Sequence, residues 1–136
     1  MIKKVIYPLL VFVLFEIPVY SQTSVEFFRQ GNTAFERKAY DSAVMLYSKA
    51  IQSDPLSPEI YLNRGKAFMK VEKFDDAIVD FSMVISLDPK KGESYFNRGI
   101  ARKLKNSPVQ NCCEDFRRAL ELGWPGAAKA VEELCK

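Results

Sequence analysis

The sequence contains no histidine. That absence removes the commonest general base, the commonest metal ligand and the side chain that titrates nearest neutral pH. Charge of one sign is also lacking: 20 Lys and Arg stand against 17 Asp and Glu, for a formal net charge of +3. With no basic block or stripe, there is no electrostatic footprint for nucleic acid. Cysteine is sparse, limited to Cys112, Cys113 and Cys135. Neighbouring cysteines on a helix point about 100° apart, and no histidine or second cysteine pair completes four ligands, so no metal is expected. A cysteine nucleophile would lack its base. Long apolar runs are missing too: Ile6 to Phe15 is about half of the ~20 residues a membrane-spanning helix needs, and Pro8, Glu16 and Pro18 interrupt or bound it. What remains is 48% hydrophobic and 27% charged over 136 residues, the profile of one globular domain.

The N-terminus reads as a targeting segment. Lys3 and Lys4 precede the apolar run, and Val19-Tyr20-Ser21 places small residues where a signal peptidase reads, with cleavage before Gln22. Residues 1–21 are thus expected to be a signal peptide and residues 22–136 the domain. An uncleaved membrane anchor is the alternative. No cysteine lies near the cleavage point, which argues against a lipoprotein anchor. The expected location is exported, periplasmic or secreted, with no membrane span after cleavage.

The domain repeats itself at a period of about 34 residues. Gly31, Gly65 and Gly99 are evenly spaced, each four residues after an aromatic: Phe27, Tyr61 and Tyr95. Tyr40/Phe74, Asp41/Asp75, Ala43/Ala77, Tyr47/Phe81, Ile51/Ile85, Asp54/Asp88 and Pro55/Pro89 match at the same offset. Tyr-x-Asn-Arg-Gly-x-Ala recurs at Tyr61 and Tyr95. Asp80-Phe81 returns one residue late as Asp115-Phe116, which predicts an insertion in the turn around 106–108.

Each copy reads as two helices. In the second copy, 59–71 carries Ile60, Tyr61, Ala67 and Phe68 at helical spacing, and Ala77, Ile78, Phe81, Val84 and Ile85 form a second apolar stripe. Asp75 is expected to cap that second helix, Ser57-Pro58 to start the first, and Asp88-Pro89 to end the copy. A glycine late in the first helix and an alanine early in the second allow close approach. One such pair cannot bury its own apolar face, so copies must stack.

The pattern resembles the tetratricopeptide repeat. The family favours an aromatic at position 4, Gly at 8, aromatics at 17 and 24, Ala at 20 and 27, and Pro at 32. Copy one has Phe27, Gly31, Tyr40, Ala43, Tyr47, Ala50 and Pro55. Copy two has Tyr61, Gly65, Phe74, Ala77, Phe81 and Pro89, with Val84 for Ala. Copy three has Tyr95, Gly99, Cys112, Phe116 and Ala119, lacks the turn aromatic and ends at Gly123. The resemblance, closest in kind to small exported bacterial members, implies an all-α fold: a right-handed α-solenoid of three helix-turn-helix repeats at about 24–57, 58–91 and 92–123. Gly123 suits a helix C-cap, and Ala128, Val131 and Leu134 give a capping helix over about 125–135 one apolar stripe.

Export would allow a disulfide. Cys113 and Cys135 lie equally far from Trp124, where the last two helices turn, so they can face each other; a bond there could stabilise by about 3 kcal/mol. Cys112–Cys135 and no disulfide are the alternatives. Under the first pairing Cys112 is a packed free thiol in the small position.

Members of the family bind partners on the concave face made by the first helix of each repeat, and the resemblance implies the same here. The groove residues it assigns are Phe28, Asn32, Phe35, Leu62, Lys66, Met69, Lys70, Phe96, Ile100 and Lys103. They suit an extended or helical peptide with apolar anchors and some acidic character. The same aromatics can instead serve packing between neighbours. Chaperone-binding members grip a terminal carboxylate with two asparagines and three cations. This chain has Asn32 and Asn63, but Phe28, Glu93 and Asn97 stand at the cation positions, so that ligand is not expected. No cofactor is expected. Glu114, Glu121, Glu132 and Glu133 sit at scattered solvent-facing positions, which argues against an enzyme. The expected function is a non-enzymatic adaptor of the cell envelope or secreted fraction that binds a protein or peptide. A structural or self-associating subunit, a homo-oligomer joined through the open N-terminal edge, is the alternative.

Overall fold

The computed structural model describes residues 19–136, with side chains from Thr23 onward. The expected signal peptide therefore falls outside the described residues, apart from 19–21 at the start of the first helix. Three hairpins follow one another: α1 (Val19–Glu36) with α2 (Tyr40–Ser53), α3 (Pro58–Lys70) with α4 (Phe74–Leu87), and α5 (Gly92–Leu104) with α6 (Val109–Glu121). A short α7 (Ala127–Leu134) closes the stack against α6. All regular structure among the described residues is helical. Each helix packs on its neighbours in chain order, while α1, α3 and α5 also touch along one side and form the concave wall. No helix among the described residues is long and apolar enough to cross a membrane.

The close approach inside each hairpin follows from one glycine and one ring. A methyl group at Gly31, Gly65 or Gly99 would sit 2.6 Å, 2.7 Å and 2.6 Å from the nearest ring carbon of Tyr47, Phe81 and Phe116. Those three rings are essentially solvent-free, as are Ala43, Ala50, Ala77, Ala101 and Ala119 around them. Small residues on both helices let the backbones meet over the ring, and dense packing of this kind is sensitive to a single added carbon.

The first helices all stop in the same way. Lys38, Glu72 and Asn106 adopt φ of 61°, 60° and 61°, and the next amide reaches back to close the turn (Ala39 to Ala34, Lys73 to Phe68, Ser107 to Arg102). Each is a left-handed C-terminal stop held without glycine. Gly123, with φ of 74°, does the same after α6, and Trp124 N–H donates to the Ala119 carbonyl. One local expectation needs correction. Asp75 does not cap α4; Lys73 holds the cap position without a side-chain bond, and Asp75 lies in the first turn, ion-paired to Lys105. α6 begins at Val109, after Pro108 at its N-cap, and α7 begins at Ala127. The extra residue of the third copy lies in the α5–α6 turn, which runs over 105–108 where the second copy has 71–73.

A polar ladder joins the hairpins. Arg64 on α3 makes a two-pronged bond to Asp80 on α4 (2.9 and 2.8 Å) and reaches Ser48 on α2 of the preceding repeat (3.0 Å). One repeat later Arg98 does the same to Asp115 (2.8 and 3.1 Å) and to Ser82 (3.0 Å). Arg102 adds a second cation to Asp115 at 2.8 Å. Asp80 and Asp115 are each 1% exposed, so burial pushes the Asp80 carboxyl up while Arg64 pulls against it. At the C-terminal end, Cys113 and Cys135 face each other at the spacing of a disulfide, with Cα atoms 5.5 Å apart, and Cys112 is buried. Burial also raises the pKa of that thiol.

Candidate functional site

The assigned groove residues separate into three groups in the structure. Leu62 is 2% exposed and belongs to the core with Tyr61, Ala77 and Phe81, so it offers a partner no surface; this corrects its assignment to the groove. Its helical position turns it between α3 and the neighbouring hairpins. Phe28, Phe35 and Phe96 are half-buried because each leans on an aromatic of its own hairpin: Phe28 on Tyr47 at 5.9 Å between centroids, Phe35 edge-on to Tyr40 at 5.2 Å, and Phe96 on Phe116 at 5.7 Å. Met69 packs partly against the core and Ile100 is half-buried. These side chains support the wall and leave an apolar edge on it. Lys70 and Lys103 are exposed. Lys66 is not a free cation, since Glu93 of the next repeat is ion-paired to it.

Asn32, Phe35 and Lys66 come together with Glu36, Tyr47 and Asn63 around a pocket of about 250 Å³ between the first and second repeats. Its polar centre is a short network. The Tyr47 hydroxyl donates to Asn32 Oδ1 at 2.8 Å, and Asn63 Nδ2 donates to the same oxygen at 3.1 Å. Tyr47 links this network to the hairpin core, because its ring is the one beneath Gly31. That double role is hard to see in sequence, where Tyr47 looks only like a packing aromatic. Burial, with a smaller contribution from Glu36, holds the Tyr47 phenol up to about 12. The folded protein thus keeps this proton between pH 10 and 12 while the unfolded chain loses it, and stability falls as pH rises through that window. Tyr47→Phe is expected to flatten the fall, measured by urea unfolding from pH 9 to 11.5.

Glu114, Glu121, Glu132 and Glu133 are all exposed. Glu114 and Glu121 share a shallow surface with Tyr95, Arg98, Asp115, Arg117 and Arg118, where acids and bases balance.

Comparison with known proteins fits this architecture. A TPR-repeat family model matches residues 31–71 and a tetratricopeptide-repeat model matches residues 58–91. The protein STIP1 homolog of Dictyostelium discoideum is 38% identical over 52 residues, which are 38% of this chain; the chain spans only 9% of that relative's length. Among solved structures, the first TPR of Spaghetti (RPAP3) bound to the HSP90 peptide SRMEEVD superposes with a TM-score of 0.79 at 27% identity, covering 85% of this chain and 92% of that one. The Arabidopsis OM64 TPR domain gives 0.77 at 30% identity, covering 84% and 94%. The glycine-and-ring hairpins, the repeat matches and these superpositions agree that the chain is built from tetratricopeptide repeats and folds as an all-α tetratricopeptide-repeat superhelix.

Proposed function

We propose that this protein is a non-enzymatic adaptor that holds a peptide segment of a partner protein on the concave wall of α1, α3 and α5. The carrying observation is the pocket around Asn32, Tyr47 and Asn63, which Phe35 also lines, on first helices that carry the half-buried Phe28 and Met69. A similar domain, at 27% identity, is solved with a peptide bound. Apolar anchors beside a few fixed polar groups are what an extended peptide needs. The test is a cross-linked pull-down with the purified protein as bait and Phe28→Ala/Met69→Ala as control. A stoichiometric partner lost with the variant supports the concave site. Recovery of the chain alone, unchanged by the variant, overturns it and favours self-association.

We further infer that the protein works in an oxidising, extracytoplasmic compartment. The apolar segment behind Lys3 and Lys4 and the Cys113–Cys135 pairing support this, because disulfides persist outside the cytosol. Alkylation of the protein taken directly from its source, followed by mass measurement, is expected to label Cys112 alone, and only after unfolding. Labelling of all three cysteines without reductant would overturn the assignment.

A further inference from the structure

The outer side of the stack is built by α2, α4 and α6, away from the concave wall. Equivalent positions on the three helices are exposed there: Met45 and Lys49 on α2, Val79 and Met83 on α4, Glu114 and Arg118 on α6. The flanking helices thus carry charge where the central one carries two apolar side chains. α4 is also apolar inward, where Ile78, Phe81 and Val84 meet the core. A helix that is apolar on both sides is normally covered, yet Val79 is 65% exposed.

The outward side chains are complementary to themselves. Consider a two-fold axis across the three helices, midway between the levels of Val79 and Met83. It lays each helix antiparallel on its own copy and sets Val79 over Met83 of the second copy. The same rotation sets Glu114 over Arg118 of the second copy, and Met45 along the aliphatic stem of its Lys49. Arg118 already holds Glu121 at 2.7 Å on its own helix, and a guanidinium has donors enough for both carboxylates. At the ends of α4, the exposed Glu72 and Asp76 come toward the exposed Lys90 of the other copy, and the helix dipoles oppose. A parallel arrangement would instead set Lys49 over Arg118 and the acidic ends of α4 on each other.

From this arrangement we propose that the protein binds a second copy of itself through the convex stripe, α4 on α4 in antiparallel order. An apolar centre of Val79, Met83 and Met45 inside a charged rim makes a small interface and a weak, exchanging dimer. The contact leaves the concave wall free, so it goes beyond the peptide-groove reading and does not depend on it.

The test is analytical ultracentrifugation of the purified protein. The average mass is expected to climb from one chain toward two between about 10 µM and about 1 mM, the range of a small interface. Val79→Lys, at an exposed position that the fold does not need, should weaken the association about tenfold or more, since it drives a charge into the apolar centre. Glu114→Arg and Arg118→Glu should each weaken it about tenfold, because each turns two exposed attractions into repulsions. A 1:1 mixture of those two variants should associate about as well as the unaltered protein, which misfolded chains could not do. A protein that stays a single chain at about 1 mM, association unchanged by Val79→Lys, or a mixture no better than its components would overturn the proposal. Association lost with Phe28→Ala/Met69→Ala but kept with Val79→Lys would move the contact to the concave wall and overturn it too. The pull-down reads the concave wall and the mixture reads the convex one, so each reading can fail alone.

Discussion

Replacing Asp115 by alanine is expected to lower stability by about 3–5 kcal/mol, the usual cost of removing one member of a buried ion pair. Asp115 is 1% exposed and accepts from both Arg98 and Arg102, whose side chains are 17% and 23% exposed. Without the carboxylate, two guanidiniums on α5 face each other across a partly dry interface. Arg98 would also be pulled from Ser82, which loosens the third repeat from the second. Urea unfolding at neutral pH measures the loss. Ser82→Ala, which removes one neutral acceptor, should cost only about 1 kcal/mol. A loss below that level for Asp115→Ala would mean that the ladder decorates the stack without holding it. Taking the charges out together, as Asp115→Leu with Arg98→Met and Arg102→Met, should recover most of the stability, because buried ion pairs rarely outperform well-packed apolar groups of similar volume.

The second large effect belongs to the ring under the glycine. Phe81→Ala should cost about 3–5 kcal/mol, since it empties the centre of the middle hairpin, where Phe81 is fully buried. Gly65→Ala should cost about 1–3 kcal/mol, although alanine is the better helix former by ~1 kcal/mol. The new methyl would stand 2.7 Å from a ring carbon of the fully buried Phe81. The two changes should not add. In the double variant the methyl partly fills the room that the ring vacated, so Gly65→Ala should become neutral or stabilising beside Phe81→Ala. A chemical-denaturation cycle over the four proteins measures this. Simple additivity would show that the hairpin yields around the methyl instead of clashing with it.

The hairpins were legible in the sequence because their determinants are strong and local. Three glycines, three rings and the small residues opposite them recur at nearly constant spacing, and each is a steric requirement of two helices lying close. The third-repeat insertion was also visible, since Asp115 and Phe116 arrive one residue late. The cap of α4 is not legible because Asp75 has the right chemistry two positions too late; Lys105, thirty residues away, engages it instead. Leu62 was misplaced for a similar reason. Family spacing assigns it to the concave side of α3, but it is buried in the core cluster with Ala77 and Phe81 of α4 and Ala101 of α5. The ladder was missed as well, because Arg64 and Asp80 look like two surface charges on two amphipathic helices. One signal was available: arginine and aspartate return together in the second and third copies, and both are absent from the first, where Gln30 and Leu46 stand. The Asn32–Tyr47–Asn63 network gave no such signal, since it occurs at a single junction.

That same ladder sets which kind of repeat can follow which. An arginine on each incoming repeat needs a serine on the repeat before it, and Ser48 and Ser82 supply two. The first repeat has Gln30 where an arginine would stand, so it does not carry the guanidinium half of this bond. At the far end the serine position is Arg117, which is exposed and donates to the Cys135 carbonyl beyond α7. A fourth repeat built on the same plan would bring its arginine against another arginine. The bond is therefore made at the two internal junctions, and a further copy of the second repeat inserted at either of them would find the serine and the arginine it needs in its neighbours.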